Sequence, residues 1–409
     1  MDTPGTFAIQ LLKEKLAIPA LSGEEEAATG YLEAQLLKAG VTPFRAGPNV
    51  CAFSPKNREG QKLLMLNSHI DTVKPSAGYT FNPFAPFEKD GKLFGLGSND
   101  AGASLAALIE SFLYLCTVDL PFNLLLVLSC EEENSGPNGM KLVTQQIPHI
   151  DCAIVGEPTS MKVAVAERGL LVIDGTAQGV AGHAARDEGV NALYVALDDI
   201  AVIRHYAFDK VSPLMGAVKK TVTMINGGVQ HNVVPAECRF VVDVRPNECY
   251  TNREILAALQ AAVKSTLSAR SLDNKCSFTP AGHALRRCAE QLGIDTYVSP
   301  TTSDWMRLNV PAVKMGPGAS VRSHSADEFV YLEEIRQGVK TYIRFITSLT
   351  MNNSPTPALP QGEGAELPLL WRGLGGDRNN EQQPHPSPPP RGGSRTPPPL
   401  EGAGGRPEQ

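Results

Sequence analysis

The chain alternates short, almost wholly apolar runs with helical text, and each run stops on a residue able to hold a metal or move a proton. "KLLMLNSHI", "NLLLVLSCE" and "CAIVGE" are leucine-rich or β-branched, while "AGASLAALIESFLYL" and "GMKLVTQQI" between them are helical stretches. Continuous apolar runs separated by helices are the text of an α/β domain, a mixed, largely parallel sheet with helices on both faces. Function is constrained too, because ligand sites in such sheets lie at the carboxyl ends of the strands. His69, Glu131 to Glu133 and Glu157 fall at those ends.

Between about Arg168 and Lys275 the text changes to alternating strands, "LLVIDGTAQG", "KKTVTMING" and "CRFVVDVRP", around two helices near Asn191–Arg204 and Asn252–Ser268. This is β-α-β-β-α-β text, an open-faced ferredoxin-like sandwich. The earlier style resumes at "VPAVKMGPG" and in a final helix from Leu332. The expected organisation is therefore a catalytic domain of residues 1–167 and 276–350 with residues 168–275 inserted into it. Residues 354–409 hold 13 of the 32 prolines and little that could build a core, so they are expected to be a disordered tail.

A chain of 409 residues with 42% hydrophobic residues can bury large cores. The formal charge of −6 and the absence of a basic stripe exclude a polyanion as main partner, so neither nucleic acid nor membrane is expected. The eight cysteines are scattered without a C-x-x-C pair and read as reduced thiols. The first forty residues carry neither a signal-peptide core nor a spanning segment, which makes the expected location cytoplasmic.

Taken singly, the polar features have ordinary explanations. Asp100 in "GLGSNDAGA" could be a helix N-cap, and three glutamates in "LSCEEENSGPNG" could be a solvated surface. A surface acidic run, however, seldom follows six apolar residues without a turn. Together His69, Asp100, Glu132 or Glu133, Glu157 and His324 form a mixed imidazole and carboxylate set, which suits a catalytic Zn²⁺ site. A phosphate-binding reading of "GLGSNDAG" is disfavoured, since Asp100 would repel phosphate and no Walker lysine follows.

The succession of H-x-D, the glycine-flanked Asp100, the tandem Glu, "GEPTS" and the late His resembles the acetylornithine deacetylase, succinyl-diaminopimelate desuccinylase and glutamate carboxypeptidase family of two-zinc hydrolases. The resemblance implies that His69 and Glu157 hold one zinc and Glu133 and His324 the other, with Asp100 bridging both. It implies that Asp71 orients His69, that Glu132 is the general base, and that Glu131 is a bystander. A cis bond between Asp100 and Ala101 belongs to the same pattern.

In the inserted segment, "GVAGHAAR" and "INGGVQHNVVPAECRFVVDVR" resemble the family's lid. The resemblance implies that His183 reaches a neighbouring subunit's site, that Asn232 and Arg245 grip substrate, and that the chain is a homodimer through this lid. Three departures touch the loops: "GLGSNDAGA" lacks the usual Arg in its G-x-G part and the usual Met-Lys-Gly after Asp100, and Ala185 and Arg186 stand where a Pro usually follows the lid His.

"SHIDTV", "EEENSGPNG" and "GHAARDEGVNA" look most like the acetylornithine deacetylase branch. The implied reaction is zinc-dependent (or cobalt-substituted) hydrolysis of N2-acetyl- or N2-succinyl-L-ornithine in arginine biosynthesis. Succinyl-diaminopimelate, other acyl amino acids and peptides are alternative substrates, and a metal-dead scaffold is the non-enzymatic alternative.

Overall fold

The structure is a computed structural model that describes residues 3–351 apart from 148 and 187. The tail expected at 354–409 lies outside the described residues. No helix among the described residues is long and apolar enough to cross a membrane.

A nine-stranded mixed sheet organises the larger part. Its four central neighbours, Asn123–Ser129, Leu63–His69, Cys152–Gly156 and Ala312–Lys314, run parallel. Antiparallel strands flank them, with Phe44–Ala46 and Asn49–Phe53 at one side and Val163–Glu167 and Ser277–Phe278 at the other.

The apolar runs are continuous because both faces are covered. Leu64, Leu66, Leu124, Leu126, Leu128 and Ile154 join one core with the helices Thr6–Leu16, Ala103–Leu115 and Leu332–Ser348. Leu63, Met65, Leu125, Val127, Ala153 and Val155 point the other way, onto the helix Met140–Gln146 and Trp305. Successive side chains of a strand alternate faces, so two covered faces demand apolar residues at every position.

The chain leaves this sheet after Glu167 and pairs with it again at Ser277. Between them a four-stranded antiparallel sheet forms in the order Lys219–Gly227, Glu237–Arg245, Leu171–Gln178, Thr266–Ala269, which with its two helices is the β-α-β-β-α-β arrangement. Only one face is covered here, by the helices Ala192–His205 and Asn252–Ala262. Leu171, Ile173, Phe240, Val242 and Val244 therefore alternate with half-buried residues around a separate core.

The second helix ends six residues earlier than the sequence pattern suggests. After Ala262 the backbone turns extended at Val263, and Thr266–Ala269 becomes the fourth strand of the sheet. An open sheet edge at Leu171–Gln178 recruits this segment, and that demand is invisible in local text.

Candidate metal centre

His69 closes the strand Leu63–His69, in register with Ser129 on one side, while Ser68 lies opposite Gly156 on the other. The loops carrying Asp71, Glu131 to Glu133 and Glu157 therefore leave the sheet side by side. Parallel register alone converts three distant motifs into one site.

Asp71 organises the first of these loops. His69 Nδ1 lies 2.9 Å from the Asp71 carbonyl oxygen and 3.5 Å from its Oδ1. The Asp71 carboxylate also accepts the backbone N–H of Glu132 on Oδ1 and that of Glu133 on Oδ2, each at 3.1 Å, and the Ser22 hydroxyl at 2.7 Å. Burial works against its charge, but His69 and these donors prevail and hold Asp71 below the usual carboxylate range. An ionised Asp71 on Nδ1 leaves His69 Nε2 facing the other carboxylates.

Asp100 lies in a turn, Ser98–Gly102, and its peptide bond to Ala101 is cis. It caps no helix: Gly102 precedes the helix Ala103–Leu115 and no side chain caps that end. Instead its two oxygens face two histidines. Oδ1 is 3.3 Å from His69 Nε2 and Oδ2 is 3.6 Å from His324 Nε2.

The turn is built for close approach, since a Cβ on Gly102 would meet the Gly97 carbonyl oxygen at 2.4 Å and one on Gly97 would meet Thr72. Glu328 clamps it from below by accepting the N–H groups of Gly97, Asn99 and Asp100 at 2.8, 2.8 and 2.9 Å. The Asn99 amide pairs with the Ala319 backbone in both directions, tying this turn to the loop that carries His324.

Around these groups negative charge is concentrated. His324 Nε2 is 3.0 Å from Glu133 Oε2, and His69 Nε2 is 3.8 Å from Glu157 Oε1. Burial, with Asp100 second, pushes Glu157 up to about 8, and burial also raises Glu132 well above its ordinary value. His324 is pushed up to about 9, chiefly by its hydrogen bond to Glu133. Burial opposes a proton on His69, yet its bonds to Asp100 and Asp71 raise it well above the imidazole range.

Carboxylates crowded in low dielectric take up protons unless a cation replaces them. The donor set fits divalent metal: the ligand atoms of His69, Asp100 and Glu133 lie within 4.8 Å of one another, and so do those of His69, Glu132 and Glu157. Mixed imidazole and carboxylate donors suit zinc, cobalt or manganese better than calcium.

The structure thus brings together His69, Asp71, Asp100, Glu132, Glu133, Glu157 and His324. Glu131 turns away, in left-handed backbone (φ 56°), and its carboxylate accepts the N–H and side-chain amide of Asn138. The other expected residues lie apart. His183 pairs with Val233 in an exposed two-stranded ribbon, and the Ala184 N–H reaches the Asn232 carbonyl. Arg245 ends the strand Glu237–Arg245 that follows this ribbon and is paired with Asp243. Among the described residues no hydrogen bond or ion pair joins these three to the cluster.

Sequence reasoning missed Glu328 and Asp304. Glu328 was visible only as an acidic residue after His324. Asp304, in "TTSDW", is buried beneath the strand ends, where it accepts Ser129 Oγ and the Asn67 amide, and burial pushes it up to about 6. No periodic or spacing signal marks it.

The sequence profile of peptidase family M20/M25/M40 matches residues 65–348. The chain is similar to succinyl-diaminopimelate desuccinylase 2 of Ruegeria sp. strain TM1040, with 26% identity over 372 residues, 83% of this chain and 94% of that one. It is 27% identical over 364 residues to acetylornithine deacetylase of Erwinia tasmaniensis, covering 79% of this chain and 92% of the relative. Among solved structures, aminopeptidase PepT of Bacillus cereus has the same fold at TM-score 0.69 and 18% identity, over 84% of this chain and 98% of that one.

Proposed function

This chain belongs to peptidase family M20/M25/M40, and on that premise we propose that it is a two-metal deacylase that hydrolyses N2-acetyl- or N2-succinyl-L-ornithine to L-ornithine and a carboxylate. The hydrolase class follows from the family. The substrate rests on the acetylornithine deacetylase text of the loops and on relatives of that name. Cytoplasmic arginine biosynthesis is the setting this reading implies. The Ruegeria relative, at similar identity, makes succinyl-diaminopimelate the second reading.

One observation carries the chemistry: Asp100 divides its oxygens between His69 and His324 while Glu132 stands beside His69 and Glu157. In this reading His69 and Glu157 hold one ion, Glu133 and His324 the other, and Asp100 both. Two divalent ions bound there, zinc by preference and cobalt as substitute, supply the positive charge that polarises the scissile carbonyl and acidifies the attacking water.

The chain's own groups do the rest. Asp71 keeps the His69 ring oriented. Glu132, a half-buried carboxylate that this reading leaves free of the ions, takes the proton from the attacking water and passes it to the departing amine nitrogen, so an amide becomes a carboxylate and a free amine. Desolvation raises the proton affinity of Glu132 well above its ordinary value, which suits this relay.

His183 is assigned to the oxyanion of a second protomer's site, and Asn232 and Arg245 to gripping the substrate. That His183 makes no hydrogen bond or ion pair with the cluster of its own chain among the described residues supports its assignment to a second protomer. Tyr194 and Leu197 on the helix Ala192–His205 and Met224 on the open edge strand Lys219–Gly227 are exposed apolar residues that suit a second copy. In this reading residues 168–275 form the lid and dimerisation domain.

The test is a panel of N-acyl amino acids assayed with metal-free protein reconstituted with Zn²⁺ or Co²⁺. N2-acetylornithine or N2-succinylornithine should give the highest kcat/KM. A clear preference for succinyl-diaminopimelate would select the second reading, and no hydrolysis of any amide with bound metal would sink both.

A further inference from the structure

The segment from Lys15 to Glu25 lies before the region matched by the family profile, yet it touches the loop that carries Asp71 and the loop that carries Glu131 to Glu133. Leu21 bridges to Thr72, with the Thr72 N–H donating to the Ala20 carbonyl at 2.8 Å and the Ser22 N–H to the Thr72 carbonyl at 3.2 Å. Ser22 Oγ donates to Asp71. Lys15 Nζ, though the residue is only 2% exposed, donates to the Ile70 carbonyl at 2.7 Å.

Glu25 is the residue without an ordinary explanation. It sits at the N-terminus of the helix Glu26–Lys38, where a carboxylate would normally accept that helix's free N–H groups, but its side chain makes no capping bond. It is 4% exposed, and a buried carboxylate needs partners. Its Oε1 accepts two: the neighbouring Gly23 N–H at 2.8 Å and, far away in sequence, the Glu131 N–H at 3.0 Å.

That second bond completes a series. Three successive backbone N–H groups point at two buried carboxylates: Glu131 to Glu25, Glu132 to Asp71 Oδ1 and Glu133 to Asp71 Oδ2. Glu131 is also in left-handed backbone, a conformation unfavourable for a side chain with Cβ, which persists only where its surroundings enforce it. Asn138 holds its carboxylate and Glu25 holds its N–H, so the direction in which the chain delivers Glu132 and Glu133 is set at that residue.

We infer that Glu25 is a positioning residue of the metal centre: by accepting the Glu131 N–H it locks the left-handed turn that aims Glu132 and Glu133. The inference rests on the proposed roles of Glu132 and Glu133. An acceptor oxygen is what the turn requires, so glutamine can replace Glu25, whereas alanine and the shorter aspartate cannot reach.

Glu25→Gln, Glu25→Asp and Glu25→Ala are each titrated metal-free with Co²⁺, followed by visible absorption, and assayed at saturating metal. Glu25→Asp keeps the proposal testable should the alanine variant fail to fold. Glu25→Gln should stay within about threefold of wild type, while the aspartate and alanine variants lose roughly 10- to 100-fold in Co²⁺ affinity or kcat with KM little changed. Full Co²⁺ affinity and kcat in the aspartate variant would overturn the inference, as would a glutamine variant as impaired as the aspartate one. Wild-type protein that binds no Co²⁺ would instead overturn the two-metal reading beneath it.

Discussion

His324 Nε2 lies 3.0 Å from Glu133 Oε2, a contact between two residues assigned to the same ion. Without metal, a proton on the ring does the work of the cation. This is why His324 is pushed up to about 9, the hydrogen bond to Glu133 leading, while burial holds Glu157 protonated up to about 8.

The sign of the resulting pH dependence can be worked out. The folded metal-free protein keeps the His324 proton up to pH about 9, whereas the unfolded chain releases it near 6.5, so that stabilisation is complete below 6.5 and lost as pH rises through 9. For Glu157 the corresponding loss spans about 4.5 to 8. The melting temperature of metal-free protein should therefore fall from pH 6.5 to 9 more steeply than that of the His324→Gln variant, which lacks this titrating group. Metal binding should release protons, with affinity rising over the same interval; calorimetry in buffers of different ionisation enthalpy measures both.

Asp100 and Glu132 are separable. Asp100→Ala removes the carboxylate shared by both histidines and should lose bound metal, read by elemental analysis after dialysis. Glu132→Gln should retain metal and lose roughly 10²- to 10⁴-fold in kcat. Equal metal content in wild type and Asp100→Ala would rule out the bridging role.

Glu328 carries no ligand role but satisfies three buried N–H groups. Glu328→Leu leaves all three unpaired, and about 1 to 3 kcal/mol for each lost acceptor predicts a destabilisation of roughly 3 to 5 kcal/mol after partial relaxation. Chemical denaturation of the metal-free protein measures it. A change under 1 kcal/mol would mean that the Asp100 turn finds other acceptors.

If His183 serves a partner's site, neither His183→Ala nor Glu132→Gln protein should be active alone. An equal mixture, exchanged at low concentration and reassembled, should recover about one quarter of wild-type activity, because half the dimers are mixed and each holds one complete site. A monomer by analytical ultracentrifugation, or no recovery after verified exchange, would place His183 outside the reaction.

Much of this molecule could be read along the chain. The apolar runs "LLML" and "LLLVLS" require both faces of their sheet to be covered, because alternation leaves no polar position for solvent. The spacing of His69, Asp100, Glu133, Glu157 and His324 then marks a candidate donor set, since each follows an apolar strand or a glycine-rich turn. The choice among three glutamates was less legible: adjacent identical residues differ only in the backbone angles that aim them.

Only the tertiary structure sets Glu131 apart from its two neighbours. Glu131 is turned aside by its φ of 56° and by Asn138, while Asp71 and Glu25, from two other segments, hold the N–H groups that direct Glu132 and Glu133 inward. Glu25, Asp304 and Glu328 escaped notice for the same reason: each acts through a hydrogen bond to a partner remote in the chain. Local sequence determines strand, helix and residue chemistry, because those depend on neighbours a few positions away. Which carboxylate meets which N–H depends on sheet register and on buried charge finding a partner, and those are settled only when the whole chain has packed.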